Sequence, residues 1–245
     1  MLRNRVGLTI LLALVFVANL GETAAEQHFG SKAGMASRTG YAFANAMEAI
    51  EGKLSLAKFE NHDATDPVAI YGYSSSYFFL FPALCLAVAI ALIVREDISG
   101  YRVLCVAVLI DYAVSLIFFL FMPVPERWAY PDSGAILLSD LWTSDLIRWI
   151  RPISGLDNCF PSSHTSLTVI LILVCYHYQV RFRTTVLGLG LTVILATYVL
   201  GIHWVPDIVA GVAVAWLSVE VARGLDLALS AGISPRRQSL KAVAG

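Results

Sequence analysis

Two short polar segments of this chain place histidines at the ends of long apolar runs. The first contains Pro161, Ser162, Ser163 and His164 and leads directly into the apolar run Leu167–Val174. Ser162 or Ser163 could cap a helix here, and the free N–H groups at the positive end of that helix would attract an anion such as phosphate. His164 would lie beside the anion, where it could donate a proton. The alternative is an ordinary helix cap next to a histidine without a chemical role.

The second segment contains His203 and Asp207, and Pro206 is well placed to begin a helix there. Because the two residues are four positions apart, the carboxylate could accept a hydrogen bond from one imidazole nitrogen and fix the tautomer. The other nitrogen would then be free to attack an electrophile. The alternative is a structural pair that ties two helix ends together.

Taken together, the two segments favour phosphoryl transfer. If the apolar runs cross a membrane in alternation, His164 and His203 reach the same surface. One histidine could attack phosphorus while the other protonates the departing alkoxide. We expect neither a metal ion nor another cofactor, because the sequence shows no cluster of acidic residues that would hold a metal.

The composition is that of an integral membrane protein. Of the 245 residues, 58% are hydrophobic and 14% are charged, and the mean hydropathy is +0.71. A soluble domain carries about 25% charged residues. The net charge of -1 and the absence of a long basic run argue against a nucleic-acid partner. Four cysteines, of which only Cys159 lies outside an apolar run, predict no disulfide framework.

The apolar runs predict an all-α fold, a polytopic membrane bundle of about six transmembrane helices in one domain spanning residues 1–245. The first run is short, so residues 1–25 are either a secretory signal or a retained first helix. The predicted spans are Gly7–Leu20, Tyr71–Val94, Val103–Met122, Phe160–Tyr178, Thr185–Ile202 and Val205–Val221.

The distribution of basic residues predicts the orientation, because Lys and Arg are enriched in cytoplasmic loops. With the amino terminus inside, both histidine segments lie at the outer face of a multi-pass plasma-membrane protein. The inner loops and tail then hold Arg95, Arg102, Arg181, Arg183, Arg223, Arg236, Arg237 and Lys241.

Two further features lie outside the histidine segments. An amphipathic helix is predicted in the first outer loop, where the apolar stripe consists of Phe43, Met47, Ile50 and Leu54, opposite Glu48, Glu51 and Lys53. Asp111 falls within the third apolar run. It is interpreted either as part of a substrate or proton path or, preferably, as an interhelical contact, for instance to Tyr198.

The motifs resemble those of the type 2 phosphatidic acid phosphatase superfamily, whose members include six-helix membrane lipid phosphatases. The resemblance covers residues 118–213 and rests on the segment 161–164 and on the pair His203 and Asp207. It implies that His203 is a nucleophile that forms a phosphohistidine, that Asp207 orients it and that His164 is the acid for the leaving group. Ser162 and Ser163 would contact phosphate oxygens.

The sequence departs from the family pattern at several positions. Ser163 replaces the usual glycine of the second motif, and Ala196 and Thr197 stand where the third motif has Ser-Arg. Arg151 is therefore the main candidate for a phosphate-binding cation, and Arg127 is the next. The alternative for both is anchoring at the membrane interface.

The resemblance implies a lipid phosphatase that hydrolyses a lipid phosphate or pyrophosphate at the outer leaflet, with that substrate and the membrane lipids as its partners. The departures look closest to the inositol phosphorylceramide synthase branch, so the alternative is a phosphotransferase that moves a phosphoryl headgroup to an alcohol. A non-catalytic transporter or scaffold is disfavoured because His164, His203 and Asp207 are all present. The sequence predicts no oligomeric state.

Overall fold

The described part of the chain folds into seven α-helices. The structure is a computed structural model that describes residues 4–29, 35–53, 67–142 and 159–231. The regular secondary structure of these residues is helical, which confirms the predicted all-α class. The helices are α1 Arg5–Phe29, α2 Met35–Lys53, α3 Phe81–Val94, α4 Ile98–Phe121, α5 Ser163–His177, α6 Arg183–Val199 and α7 Val205–Ala231.

Helices α4, α5 and α7 form the centre of the bundle. Val103, Ile170 and Val219, one from each of these helices, are fully buried in a single core cluster. Helix α6 packs against α5, and α1 packs against α4, where Leu8 is also fully buried. The outward faces are apolar as well, as at the exposed Phe121, so the bundle is suited to a lipid surround.

Four helical segments are long and apolar enough to cross a membrane: Arg5–Ala24, Ile70–Val94, Ile98–Phe121 and Val205–Ala231. The second consists of two π-helical turns followed by α3. Helices α5 and α6 are apolar but have only 15 and 17 residues. At a rise of 1.5 Å per residue they extend roughly 22 and 26 Å, less than the ~30 Å hydrocarbon core. By length, four of the six predicted spans are therefore present among the described residues.

The bundle end far from the two histidine segments contains a buried polar cluster. Arg102 and Ser99 both donate hydrogen bonds to Asp226 of α7. The prediction that Arg102 lies in an inner loop is wrong. Asp97 caps α4, so the helix begins at Ile98, and Arg102 lies one turn inside it with a buried carboxylate as its partner.

The amphipathic helix of the first outer loop is present as α2, but its buried face differs from the prediction. Ile50 is 48% exposed, whereas Glu51, which was predicted on the polar face, is 2% exposed. Ala44 and Met47 are buried on the same side as Glu51, and Leu54 lies outside the described residues. Phe43 and Met47 lie on the buried side as predicted. The prediction is wrong for Ile50 and Glu51, because Glu51 has a buried partner that is described below.

The segment that follows α4 crosses the end of the bundle where the histidines lie. The N–H groups of Arg127 and Trp128 donate to the carbonyls of Ile202 and Gly201 at 3.0 and 2.9 Å. Gly201 has φ 75°, and a Cβ atom there would lie 2.6 Å from the Ile136 carbonyl oxygen, so this crossing requires glycine. These contacts hold the loop before α7 in place.

Candidate active site

His203 and Asp207 are positioned by the start of α7. Asp207 lies in the first turn of α7, and its Oδ2 accepts the N–H of Trp204 at 2.9 Å. This is the carboxylate half of a capping box, and it fixes the side chain relative to the helix end. Oδ2 lies 3.5 Å from Nδ1 of His203, and the two side chains are 0% and 5% exposed. Because Nδ1 faces the carboxylate, Nε2 is the nitrogen left for attack.

A thiol lies between the carboxylate and the imidazole. Cys159 donates a hydrogen bond from Sγ to Oδ2 of Asp207 at 2.9 Å, and Sγ is 3.3 Å from Nδ1 of His203. The cysteine is 1% exposed. Burial, followed by the charge of Asp207, raises the pKa of the Cys159 thiol well above its ordinary value. The thiol therefore stays protonated at neutral pH and acts as a hydrogen-bond donor.

His164 lies in the first turn of α5, which Ser162 caps. The Ser162 hydroxyl accepts a hydrogen bond from the N–H of Thr165 at 3.3 Å, and the residue is fully buried. The hydroxyl is therefore already used to cap α5. The imidazole of His164 stacks on the Tyr77 ring with centroids 4.0 Å apart and lies 4.6 Å from the Phe81 ring. Both rings belong to the span Ile70–Val94, and they fix the orientation of the imidazole.

The two histidine segments meet. The ring centroids of His164 and His203 are 6.4 Å apart, and the N–H of Ser162 donates to the carbonyl of Asp207 at 3.2 Å. Close contact requires Gly211, where a Cβ atom would lie 2.8 Å from the Ser162 carbonyl oxygen. The amino termini of α5 and α7 thus converge around the two imidazoles, and their dipoles favour an anion between them.

The family of the chain follows from a comparison with known proteins. A family model described as the PAP2 superfamily matches residues 83–225, which is more than half of the chain and includes both histidine segments. The chain belongs to the PAP2 superfamily. No curated protein and no solved structure matches it significantly.

Membership of the PAP2 superfamily confirms the resemblance drawn from the sequence. It supports a phosphatase or phosphotransferase function, and with the apolar helices it supports an integral membrane protein. The family match does not confirm the resemblance to the inositol phosphorylceramide synthase branch. The roles of the individual site residues stay predictions.

Of the two predicted phosphate-binding cations of this PAP2 protein, the described residues include one. Arg127 is 1% exposed, and its Nη2 lies 2.8 Å from Oε2 of Glu51. Its guanidinium carbon lies 4.7 and 5.6 Å from the ring centroids of Tyr198 and Trp204. Arg127 therefore holds α2 against the PAP2 site in this conformation, and its phosphate contact stays a prediction. Arg151 lies outside the described residues.

Glu51 links α2 to the start of α7. In addition to its pair with Arg127, its Oε1 accepts the N–H of Val205 at 2.6 Å. Burial raises the pKa of the Glu51 carboxyl, while the Val205 hydrogen bond and the charge of Arg127 act in the opposite direction. The carboxylate thus satisfies one of the free N–H groups of the α7 amino terminus.

Asp111 makes the interhelical contact that was the preferred interpretation, but with a different partner. Its Oδ2 accepts the Ser166 hydroxyl of α5 at 3.0 Å, and the suggested contact to Tyr198 is wrong. Tyr198 lies instead under the guanidinium of Arg127.

Sequence reasoning did not assign Cys159, Glu51, Tyr77 or Phe81 to the site. Only Cys159 carried a signal, as the one cysteine in a loop next to a motif. Its Sγ, His203 Nδ1 and an Asp207 oxygen all lie within 4.8 Å of one another, and they are the one group of three or more metal-ligand side chains in the described part of the chain.

Proposed function

We propose that the protein is an integral membrane lipid phosphatase that hydrolyses a lipid phosphate or pyrophosphate through a phosphohistidine intermediate. The observation that carries the proposal is the meeting of His164 and His203, with ring centroids 6.4 Å apart, between two helix amino termini. Family membership supports the reaction class.

In the first step Nε2 of His203 attacks phosphorus, and the bond from phosphorus to the leaving oxygen breaks. His164 gives its proton to that oxygen, so the lipid alcohol leaves neutral. The negative carboxylate of Asp207 offsets the positive charge that develops on the imidazole of His203. The dipoles of α5 and α7 stabilise the charge on the phosphoryl oxygens.

In the second step water attacks the phosphohistidine. His164, now neutral, accepts a proton from the water as the N–P bond breaks, which returns both histidines to their starting states and releases phosphate. If an alcohol replaces the water, the same residues perform a phosphotransfer. The two outcomes therefore share one site and differ only in the acceptor.

The surroundings of His164 support a lipid as the leaving group. Tyr77 and Phe81, on which the imidazole packs, belong to the membrane span Ile70–Val94. Phe79 of the same segment is 36% exposed. An alcohol protonated by His164 would leave beside an apolar helix surface, where an acyl or isoprenoid chain could stay in the bilayer.

The test compares an aryl phosphate with a lipid phosphate on purified protein in detergent. His203→Ala should abolish turnover of both substrates because no phosphoenzyme can form. His164→Ala should lower the rate of phosphoenzyme formation about 10²–10⁴-fold with the lipid phosphate and less with p-nitrophenyl phosphate, since p-nitrophenolate leaves without a proton. The rate of this first step is compared because His164 also serves the second step, which is the same for both substrates. His177→Ala, at an exposed histidine of α5, is the control and should match the parent.

Trapping completes this test. Protein quenched in alkaline denaturant should carry an acid-labile, base-stable phosphoryl group that depends on His203. An equal loss in the rate of phosphoenzyme formation with both substrates in His164→Ala would contradict the acid role, and full activity of His203→Ala would refute the whole proposal. Added inositol or other alcohols would shift product from free phosphate to a phosphoester if the protein is a phosphotransferase.

We further propose that the site lies at the outer face. The basic loops support this orientation, because Arg95 at the end of α3 and Arg183 at the start of α6 lie at the bundle end opposite the histidines. A cysteine at exposed Asp132 should react with an impermeant maleimide in intact cells, while one at exposed Gln179 should react only after lysis. Labelling in the reverse order would place the site inside.

A further inference from the structure

Three side chains of different chemistry point their ligand atoms at one another beside the proposed nucleophile. Sγ of Cys159 lies 2.9 Å from Oδ2 of Asp207 and 3.3 Å from Nδ1 of His203, and the last two atoms are 3.5 Å apart. All three residues are buried. They come from two separate parts of the chain, the loop before α5 and the segment that begins α7.

These separations are close to those of a tetrahedral metal site. With metal–ligand bonds of 2.0–2.3 Å, neighbouring ligand atoms of a tetrahedral Zn²⁺ lie roughly 3.3–3.7 Å apart. Two of the three observed distances fall in that range. The third, from Sγ to Oδ2, would need to open by about 0.5 Å, which is the change expected when a metal ion replaces the thiol proton between them.

An independent observation concerns the second oxygen of the same carboxylate. Oδ1 of Asp207 is buried and has no hydrogen-bond partner among the described residues. A buried carboxylate oxygen without a donor is costly, and coordination of a cation is one way to satisfy it. The N–H of Trp204, which donates to Oδ2 at 2.9 Å, would hold the carboxylate in place from outside the metal sphere.

We propose that Cys159, His203 and Asp207 form a site for a thiophilic divalent cation such as Zn²⁺, and that a cation bound there inhibits the enzyme. The donor set decides the class of ion. Thiolate and imidazole favour Zn²⁺, Co²⁺ or Cd²⁺ over Mg²⁺ and Ca²⁺, which prefer oxygen ligands. The second half of the proposal rests on the proposed phosphatase function, and the first half does not.

The charges balance on binding. The cation gives up water ligands, the Cys159 thiol releases one proton to solvent, and the resulting thiolate and the Asp207 carboxylate together carry two negative charges. The imidazole of His203 binds as the neutral form through Nδ1. The fourth position would be taken by Oδ1 of Asp207 or by water.

Inhibition follows from the tautomer that the metal imposes. A neutral imidazole carries its proton on one nitrogen and a lone pair on the other. If the lone pair at Nδ1 of His203 is donated to the metal, the proton stays on Nε2, which then has no lone pair for phosphorus. The metal also withdraws the Asp207 carboxylate from its role beside the imidazole.

Binding is tested with Co²⁺ and the full chain in detergent, without reference to activity. One equivalent of Co²⁺ should produce a near-ultraviolet band from thiolate-to-metal charge transfer together with visible bands of a four-coordinate ion. Cys159→Ser and His203→Ala should both lose the charge-transfer band or weaken Co²⁺ binding by more than about 100-fold. Such a loss exceeds the roughly 10–100-fold effect of changing a residue that only supports the metal ligands. Cys175→Ser, at another fully buried cysteine, and His164→Ala should keep it.

Inhibition is tested with Zn²⁺ on the phosphatase reaction, each variant being compared with its own uninhibited rate. Zn²⁺ should inhibit the parent and Cys175→Ser, EDTA should reverse the effect, and Cys159→Ser should need more than about 100-fold more Zn²⁺. Absence of a thiolate band in the parent, or its survival in a folded Cys159→Ser, overturns the site. Loss of activity with EDTA that returns with Zn²⁺ overturns inhibition. If no substrate is turned over, the proposed function fails while the Co²⁺ titration still decides the site.

Discussion

The pair formed by Glu51 and Arg127 gives a sharp prediction about stability. Glu51→Gln removes the negative charge without changing the shape of the side chain. The new amide oxygen can still accept the N–H of Val205, now 2.6 Å from Oε1. Its NH₂ group, however, would face the guanidinium of Arg127, where Oε2 now lies 2.8 Å away. The substitution therefore isolates the loss of one partner from a buried ion pair.

The magnitude follows from the burial of both partners, whose side chains are 1% and 2% exposed. Solvent screening is slight at such a site, and removing one partner of a buried ion pair costs about 3–5 kcal/mol. At 1.4 kcal/mol for each factor of ten, the unfolding equilibrium constant should rise roughly 100- to 5,000-fold. We expect α2 to detach first, since this carboxylate is its polar link to the start of α7.

The assay is equilibrium unfolding in mixed detergent micelles, with a double-mutant cycle. Glu51→Gln should destabilise more than Arg127→Met. The double variant should be less destabilised than the sum of the two, because both substitutions remove the same interaction. Glu48→Gln on the same helix is the matched control and should change the free energy of unfolding by less than about 0.5 kcal/mol.

The reasoning is refuted if Glu51→Gln is as stable as the parent, or if the two substitutions are additive. Either result would mean that Glu51 and Arg127 are not coupled in the folded protein.

Two further predictions concern the packing around the site. Gly211→Ala should destabilise the protein by about 1–3 kcal/mol in a thermal unfolding assay and should lower activity. The new Cβ atom would lie 2.8 Å from the Ser162 carbonyl oxygen and displace the start of α5. Gly224→Ala is the control and should be neutral or stabilising in the same assay, because a Cβ atom there meets nothing within 4 Å. Asp111→Asn should keep both folding and turnover, because an amide oxygen can still accept the Ser166 hydroxyl; loss of turnover with intact folding would instead show that the carboxylate takes part in the reaction.

The sequence by itself determined the class of the fold, the family and the two histidine segments. These features depend on local chemistry. Long apolar runs must form helices in a membrane because the backbone has no other hydrogen-bond partners there. His203 lies two residues before α7 and Asp207 lies in its first turn, so their proximity is set within one short segment of chain. The cap formed by Ser162 follows from the same kind of short-range rule.

Only the tertiary structure decided which distant residues surround these segments. Cys159 reaches His203 and Asp207 because α5 and α7 pack against each other, and no spacing along the chain encodes that contact. The buried face of α2 was predicted correctly at Met47 and wrongly at Glu51, because periodicity assigns glutamates to the solvent side. The burial of Glu51 depends on Arg127 arriving from another loop, and a buried charge is tolerated only where such a partner is already in place.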